Sequence, residues 1–304
     1  MAAPLIIVAA VTGGGPPRAR SPHQPVTPDE IVSEALACWR AGAAMVHLHA
    51  RTSDGKTTTD PDAYRDLCAA IRAAGCDAVL NLSAGDDGGK AGHAERLAVL
   101  DGAVDGGAEV VSLGGGSFNL ADRLYDNSPE YIRALAEGMR ARRITPEFEV
   151  FDAGHLSRLD LLAQEGLLAP GRHLVQFVTG PPGTLPPDPR LLALLAERLP
   201  PGTAWSVSAQ TGDDHALHAR LLLWAFAHGG HVRTGIEDMV WLRPGEPARS
   251  NADLVGQWAD TARIWGRPVA SPAEARTLLG IRSTSRPDTT AHNNASEDPH
   301  ANAA

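Results

Sequence analysis

The stretch "VTPDEIVSEALACWRAGAAMVHLH", residues 26–49, decides the fold class. Thr27 stands ahead of Pro28 and Glu30, the pattern of an N-cap, a proline at the first helical position and a capping-box acid. The apolar spacing that follows predicts an amphipathic helix over 28–41. The run "AMVHLH", 44–49, then reads as a buried strand. Upstream, "LIIVAAV" at 5–11 is another strand, so strand, helix and strand follow in that order.

The alternation continues nearly to the end of the chain. Strand-like runs occupy 78–82, 109–113, 145–151, 173–178, 204–208 and 231–234, and helical patterns fall at 60–73, 93–105, 128–141, 155–166, 188–198, 214–227 and 251–265. Eight strands alternating with eight helices predict an α/β fold of the (β/α)₈ TIM-barrel type. A doubly wound sheet fits less well, because Gly13-Gly14-Gly15 leads into a Pro-rich loop rather than opening a helix. Residues 1–281 read as one barrel domain, and 282–304, without periodicity or apolar content, as a disordered tail.

Composition narrows the function. The chain has 304 residues, 43% hydrophobic and 21% charged, as expected of a globular protein with a full core. A net charge of −9 with no basic run argues against nucleic acid. Arg140, Arg142 and Arg143 fit the solvated C-terminal end of a helix. Cys38, Cys68 and Cys76 form no CxxC and leave an odd thiol, which suits a reducing cytoplasm. The start "PLIIVAAVTGGG" is too short to span a membrane and lacks a basic leader, so it is expected to be the first strand, with no membrane partner.

Strand alternation places His47 and His49 on one face and Val46 and Leu48 on the other. In a barrel the imidazoles enter the interior near the catalytic, C-terminal end, as half of a divalent-metal ligand set or as hydrogen-bonded core histidines. In "TPEFEVF", Glu147, Glu149 and Phe151 share a face, and carboxylates pointing inward need a metal, an arginine, a proton or a substrate to answer them. "GGHVRTGIEDM" offers Arg233, Glu237 and Asp238 just past the last strand, either in the site or as a surface loop with a salt bridge. Ser83 and Ser112 add small polar groups at two further strand ends. Two histidines and one carboxylate make a catalytic zinc set with open positions, and Mn²⁺, Co²⁺ or Ni²⁺ suits the same ligands. "GGGSFN" at 114–119 and "TGPPGTLPPDP" at 179–189 resemble phosphate-approaching loops, a weak signal because Gly and Pro also mark ordinary loops. Asp86 to Lys90 read as a solvated loop, and His215 and His218 as a surface pair on a helix.

The order "AAVTGG", "PVTPDEIVSEALACWRAGAAMVHLHAR", "NLSAG", "PEFEVFDAG", "QFVTGPPG" and "GGHVRTGIED" resembles the β-keto acid cleavage enzymes, typified by the 3-keto-5-aminohexanoate cleavage enzyme, over residues 5 to 281. The resemblance implies a homotetrameric barrel holding one Zn²⁺ per subunit, with His47, His49 and Glu237 as ligands. It implies that Ser83, Ser112, Glu149, Arg233 and Asp238 hold the β-keto acid and move its protons, and it places Glu147 beside them. The reaction it implies condenses a β-keto acid with acetyl-CoA as co-substrate and splits the adduct into acetoacetate and a new acyl-CoA. Other readings of the same residues are a metal-dependent hydrolase or aldolase, and a non-catalytic metal- or ligand-binding barrel.

Departures bear on the substrate. The aminohexanoate enzyme carries a glutamate in the loop after strand one that answers an ammonium group, and the matching position here is Gly15. Without that carboxylate a β-amino substrate is not expected. Gly114 stands where that enzyme has Asn, and Met239 where E-D-N is expected. Arg18, Arg20 and His23 in the same loop favour an anionic or hydroxylated side chain.

Overall fold

The computed structural model describes residues 3–85, 87–169 and 173–281, so the tail expected at 282–304 lies outside the described residues. Eight parallel strands close into a barrel: β1 (Ile7–Ala10), β2 (Met45–Leu48), β3 (Val79–Leu82), β4 (Val110–Gly114), β5 (Thr145–Val150), β6 (Leu174–Thr179), β7 (Ala204–Ala209) and β8 (His231–Thr234). Each strand pairs with its neighbours in chain order, and β8 closes the ring on β1 through Val8↔Arg233. Nine helices accompany them among the described residues: α1 (Pro28–Arg40), α2 (Pro61–Ala73), α3 (His93–Gly106), α4 (Pro129–Arg142), α5 (His155–Gln164), α6 (Pro189–Glu197), α7 (His215–Ala227), α8 (Asn251–Ile264) and α9 (Pro272–Leu279).

The expected start of α1 is present in full. Thr27 Oγ1 accepts the Glu30 N–H at 3.3 Å, and Glu30 Oε2 accepts the Thr27 N–H at 3.0 Å. Sequence reading missed α9, although "SPAE" at 271–274 carries the same signal as "TPDE": Ser271 and Glu274 form a second capping box with Pro272 at the start. Its apolar face is short, with Ala275 and Leu279 buried, so hydrophobic periodicity does not mark it. Two small hairpins, 118–120 with 123–125 and 241–243 with 246–247, also went unread as strands.

Strand alternation sorts the core into two chemistries. Val46, Leu48, Leu80, Leu82, Val111, Leu113, Phe148 and Val150 point outward and pack under the helices against Ile31, Ala35, Tyr64 and Ile71. Each such side chain, fully buried, contributes about 1.5–3 kcal/mol. The inward positions change character along the barrel axis. At the N-terminal end Ile6, Val8, Met45, Val79, Val110 and Leu174 form an apolar plug, sealed from below by Ala275 and Leu279 of α9. One step up, the inward residues are His47, Asn81, Ser112, Glu147, Gln176, Ser206 and Arg233, all buried.

A buried ion cluster holds α9 against the floor. Glu109 receives Arg276 Nε on Oε1 at 2.6 Å and Arg72 Nη2 on Oε2 at 2.9 Å. Nearby, His231 Nδ1 accepts the Ile6 N–H at 3.1 Å, so this ring must be unprotonated on that nitrogen. Burial, with the neighbouring Arg267 charge, pushes its pKa down to about 3.

Candidate active site

The inward-facing polar residues gather at the C-terminal mouth because strand parity and a tight turn bring them there. His47 lies on β2 and His49 just beyond it, and their rings sit 5.2 Å apart at 80°. Glu237 follows β8 in a turn closed by the Asp238 and Met239 N–H groups donating to Gly235 O. The Glu237 N–H itself donates to Ala10 O, at the end of the neighbouring strand β1, at 3.3 Å. This turn carries the Glu237 carboxylate over the histidines: Oε1 lies 3.9 Å from His47 Nε2 and 3.6 Å from His49 Nε2. One ligand atom from each of the three residues falls within 4.8 Å of the others, the spacing of ligands around a common ion.

The donor set fits a divalent metal. Glu237 Oε2 is buried without a hydrogen-bond partner, a costly arrangement unless something bound at the site answers it. Burial, reinforced by Arg233, holds the His47 pKa well below its usual value, and a neutral imidazole is the form that ligates. Burial opposes ionisation of Glu237, yet Arg233, His47 and His49 together hold its carboxyl well below the usual range.

Behind the triad, Arg233 is gripped by two carboxylates. Its Nε donates to Asp238 Oδ2 at 2.9 Å and its Nη2 to Asp238 Oδ1 at 3.2 Å, and Nη2 also donates to Glu237 Oε1. Asp238 is fully buried and takes further bonds on Oδ1 from Ser208 Oγ at 3.1 Å and Gln210 Nε2 at 3.3 Å. The surface-loop reading of this segment therefore does not hold, since Arg233 is buried and its ion pair faces the barrel interior.

The two glutamates of β5 are also placed inward. Glu147 Oε2 accepts Asn81 Nδ2 at 2.6 Å, while Oε1 is buried without a partner. Glu149 Oε1 accepts Gln176 Nε2 at 3.3 Å. Burial raises the Glu147 pKa, and burial together with the adjacent Glu147 pushes Glu149 up to about 8. Among the described residues each carboxylate takes its hydrogen bond from an amide, and burial favours the neutral form of both.

These groups surround a cavity of about 480 Å³. His47, His49, Ser83, Glu149, Arg233 and Glu237 line it, and so does Gly15. Ser112, Glu147 and Asp238 lie beneath its wall instead of on it. Ser112 Oγ accepts the Ala84 N–H at 3.0 Å and so fixes the segment that carries Ser83. Asn81, Gln176, Ser208 and Gln210 were missed in the sequence, although Asn81, Gln176 and Ser208 occupy inward positions that the same two-residue alternation marks on β3, β6 and β7.

The loop after β1 is tied down by a residue the sequence did not flag. Arg51, buried, donates to Thr12 Oγ1, Gly55 O, Gly13 O and Gly15 O at 2.6–2.9 Å. Gly13 has φ +69°, and a Cβ there would lie 2.8 Å from Glu237 Cγ. Glycine is required here by both backbone and space. At Gly15 a Cβ would meet nothing within 4 Å.

The two glycine-rich loops read as phosphate candidates meet each other beside a second cavity, which Gly115, Gly116 and Gly183 line. Ala121 N–H donates to Pro182 O at 2.9 Å, and a Cβ at Gly183 would fall on the carbonyl of Asn119. Their joint product is the 118–125 hairpin over the mouth, where Phe118 stacks on Phe151 at 4.1 Å. Asn127 Nδ2 occupies the space beside Gly114, and Met239 is fully buried core. His218 corrects another expectation: it is buried, with Nδ1 2.7 Å from Ala209 O, because this face of α7 packs onto β7.

A sequence profile of the β-keto acid cleavage enzymes matches residues 4–281. The chain belongs to that family. As a β-keto acid cleavage enzyme it is 37% identical over 286 residues to the 3-oxoadipate:acetyl-CoA acetyltransferase of Cupriavidus necator, covering 93% of this chain and 97% of that one. It is 35% identical over 278 residues to the 3-keto-5-aminohexanoate cleavage enzyme of Acetoanaerobium sticklandii, covering 91% and 98%. Among solved structures, apo ObcA shares the fold at a TM-score of 0.73 and 24% identity, over 87% of this chain and 66% of that longer one. No helix among the described residues is long and apolar enough to cross a membrane.

Proposed function

We propose that this enzyme uses zinc held by His47, His49 and Glu237 to join a β-keto acid to acetyl-CoA and split the adduct into acetoacetate and a new acyl-CoA. The observation that carries the reading is the convergence of those three ligand atoms at the cavity wall, with the Arg233–Asp238 pair bonded directly to the same Glu237. The names of two relatives, one acting on 3-oxoadipate with acetyl-CoA and one on 3-keto-5-aminohexanoate, support the reaction class.

Bound zinc supplies Lewis-acid polarisation of the keto oxygen. The chain supplies the rest. In this reading Arg233, which faces the cavity, and Asp238, which holds it from behind, draw off the C2 proton of the β-keto acid. The C2 carbon bonds to the acetyl carbonyl carbon and CoA leaves as thiolate. The thiolate then attacks the original keto carbon, the C2–C3 bond breaks, and the proton returns to give acetoacetate. Ser83 and Glu149 hold the substrate's carboxylate end, Glu149 in its protonated form below about pH 8. Ser112 and Glu147 act from beneath, through Ala84 and Asn81. Gly15 leaves open the space where an ammonium-binding side chain would stand, which argues against a β-amino acid substrate. The same reading takes the enzyme as a cytoplasmic homotetramer; three buried free cysteines support a reducing compartment.

The test is product analysis by mass spectrometry on zinc-loaded protein across a panel of β-keto acids. Acetoacetate and the matching acyl-CoA are expected, only when acetyl-CoA is present. Turnover independent of CoA would replace this reading by a hydrolase or aldolase. Glu237→Gln is expected to lose both zinc and turnover, and wild-type metal content in that variant would overturn the ligand assignment.

A further inference from the structure

Of the three basic residues in the loop after β1, the structure leaves one at the cavity. Arg18 turns away to an exposed pair with Glu30 at 2.6 Å, and His23 does not line the cavity. Arg20 does line it, beside Gly15. Its guanidinium is held by neutral groups, Nη2 donating to Gly212 O at 3.0 Å and Nη1 to Glu237 O at 3.5 Å. A guanidinium has five N–H donors, so donors remain to be answered.

The surroundings make this cation unusual. Among the described residues lining the cavity, the carboxylates are Glu149 and Glu237. Glu237 is committed to Arg233 and the histidines, and Glu149 is held protonated through neutral pH by burial and by Glu147. The loop presenting Arg20 is tethered on both sides. Gln24, buried, accepts the Arg18 N–H at 2.6 Å and donates to Thr12 O, and Arg51 ties down Gly13 and Gly15 from the other side. Such tethers reduce the ordering the loop must undergo on binding.

We propose that Arg20 reads an anionic group at the far end of the β-keto acid, making this enzyme selective for 3-oxo dicarboxylic acids. The inference rests on the reaction proposed above. Arg20, itself exposed, bonds the backbone carbonyl of Glu237, whose side chain belongs to the metal triad, so it stands at the cavity rim within one residue of a metal ligand. A planar guanidinium answers a carboxylate with paired hydrogen bonds, and it repels the ammonium group of an amino substrate. The phosphates of CoA are the other anions that enter such a site, but the long pantetheine arm separates them from the reacting thioester. The acyl-CoA released is then the thioester of a dicarboxylic acid two carbons shorter than the substrate.

The experiment compares 3-oxoadipic acid with 3-oxohexanoic acid, equal in length and differing in the distal carboxylate. Binding of each to the zinc-loaded protein is measured by calorimetry without acetyl-CoA, and kcat/KM with it, for wild type, Arg20→Met and Arg20→Lys. A lost charge-assisted bond is worth about 10- to 100-fold, so wild type is expected to favour the diacid by that factor. In Arg20→Met the ratio collapses toward one through the KM of the keto acid, and Arg20→Lys keeps part of it. Equal binding of the two acids to wild type overturns the inference. A rise in the KM of acetyl-CoA with both acids alike also overturns it and assigns Arg20 to a CoA phosphate. Selective binding of the diacid without turnover upholds Arg20 and refutes the proposed reaction instead.

Discussion

Adding one methyl group at each of three consecutive glycines in the loop after β1 should give three different results. At Gly13 the backbone has φ +69°, where a Cβ costs about 1–2 kcal/mol. That Cβ would also lie 2.8 Å from Glu237 Cγ, whereas carbon atoms settle at about 3.5–4.0 Å, so one of them must move by roughly 0.7 Å or more. Glu237 has little freedom to yield, because Ala10 O holds its backbone and Arg233 its carboxylate. Gly13→Ala is therefore expected to lower stability by about 2 kcal/mol and to weaken metal binding by about 10- to 100-fold, the effect typical of disturbing a ligand's supports. At Gly14 the added Cβ meets His49 Cε1 at 3.3 Å, a contact that a shift of a few tenths of an ångström relieves, so a smaller loss of metal affinity is expected. At Gly15 nothing lies within 4 Å, and Gly15→Ala should be neutral or up to about 1 kcal/mol more stable by stiffening the unfolded chain. Urea unfolding of the metal-free proteins gives the stabilities, and zinc retained against a graded chelator series gives the affinities. If Gly13→Ala and Gly15→Ala match in both measurements, the close approach of this loop to Glu237 is wrong.

Two further outcomes follow from the floor of the barrel. Glu109→Ala leaves Arg72 and Arg276 without their shared buried carboxylate and should cost about 3 kcal/mol in urea unfolding, with proteolysis beginning at α9. His231 is held neutral by burial, with a pKa pushed down to about 3, so between about pH 6.5 and 3 the unfolded chain binds a proton that the folded one does not. Stability should therefore fall as the solution is acidified through that window, and His231→Gln should flatten the slope by up to about 1.4 kcal/mol per pH unit. An unchanged slope in the variant would show that other groups carry the acid response.

The (β/α)₈ barrel was legible because its code is local and repeated. An alternation of buried strands with capped amphipathic helices survives in sequence, and Thr27-Pro28-Asp29-Glu30 announces α1 in four residues. The same signal at Ser271-Pro272-Ala273-Glu274 announces α9, but that helix caps the floor and breaks the strand–helix count, so the count concealed it. The site was half legible for a related reason. His47, His49, Glu147 and Glu149 sit inside strands, where polar side chains in an apolar run stand out. Ser208 and Gln210 stood out less, because serine and glutamine are unremarkable near a strand end, and Arg51 offered no pattern, since its partners are carbonyls in loops.

The sequence alone determined which side chains face the barrel interior, because a strand has a period of two and the parity of each residue follows from its place in the run. It could not say which of those side chains meet. Glu237 lies 190 residues beyond His47, and only ring closure through Val8↔Arg233 and Ala10↔His47 brings the turn after β8 over β2. Tertiary structure likewise decided among Arg18, Arg20 and His23, which are equal candidates by charge: Arg18 finds Glu30 on α1, and Arg20 is carried to the cavity by carbonyls from two distant loops. Charge and parity are properties of residues in order, whereas partnership is a property of distances that the closed barrel sets.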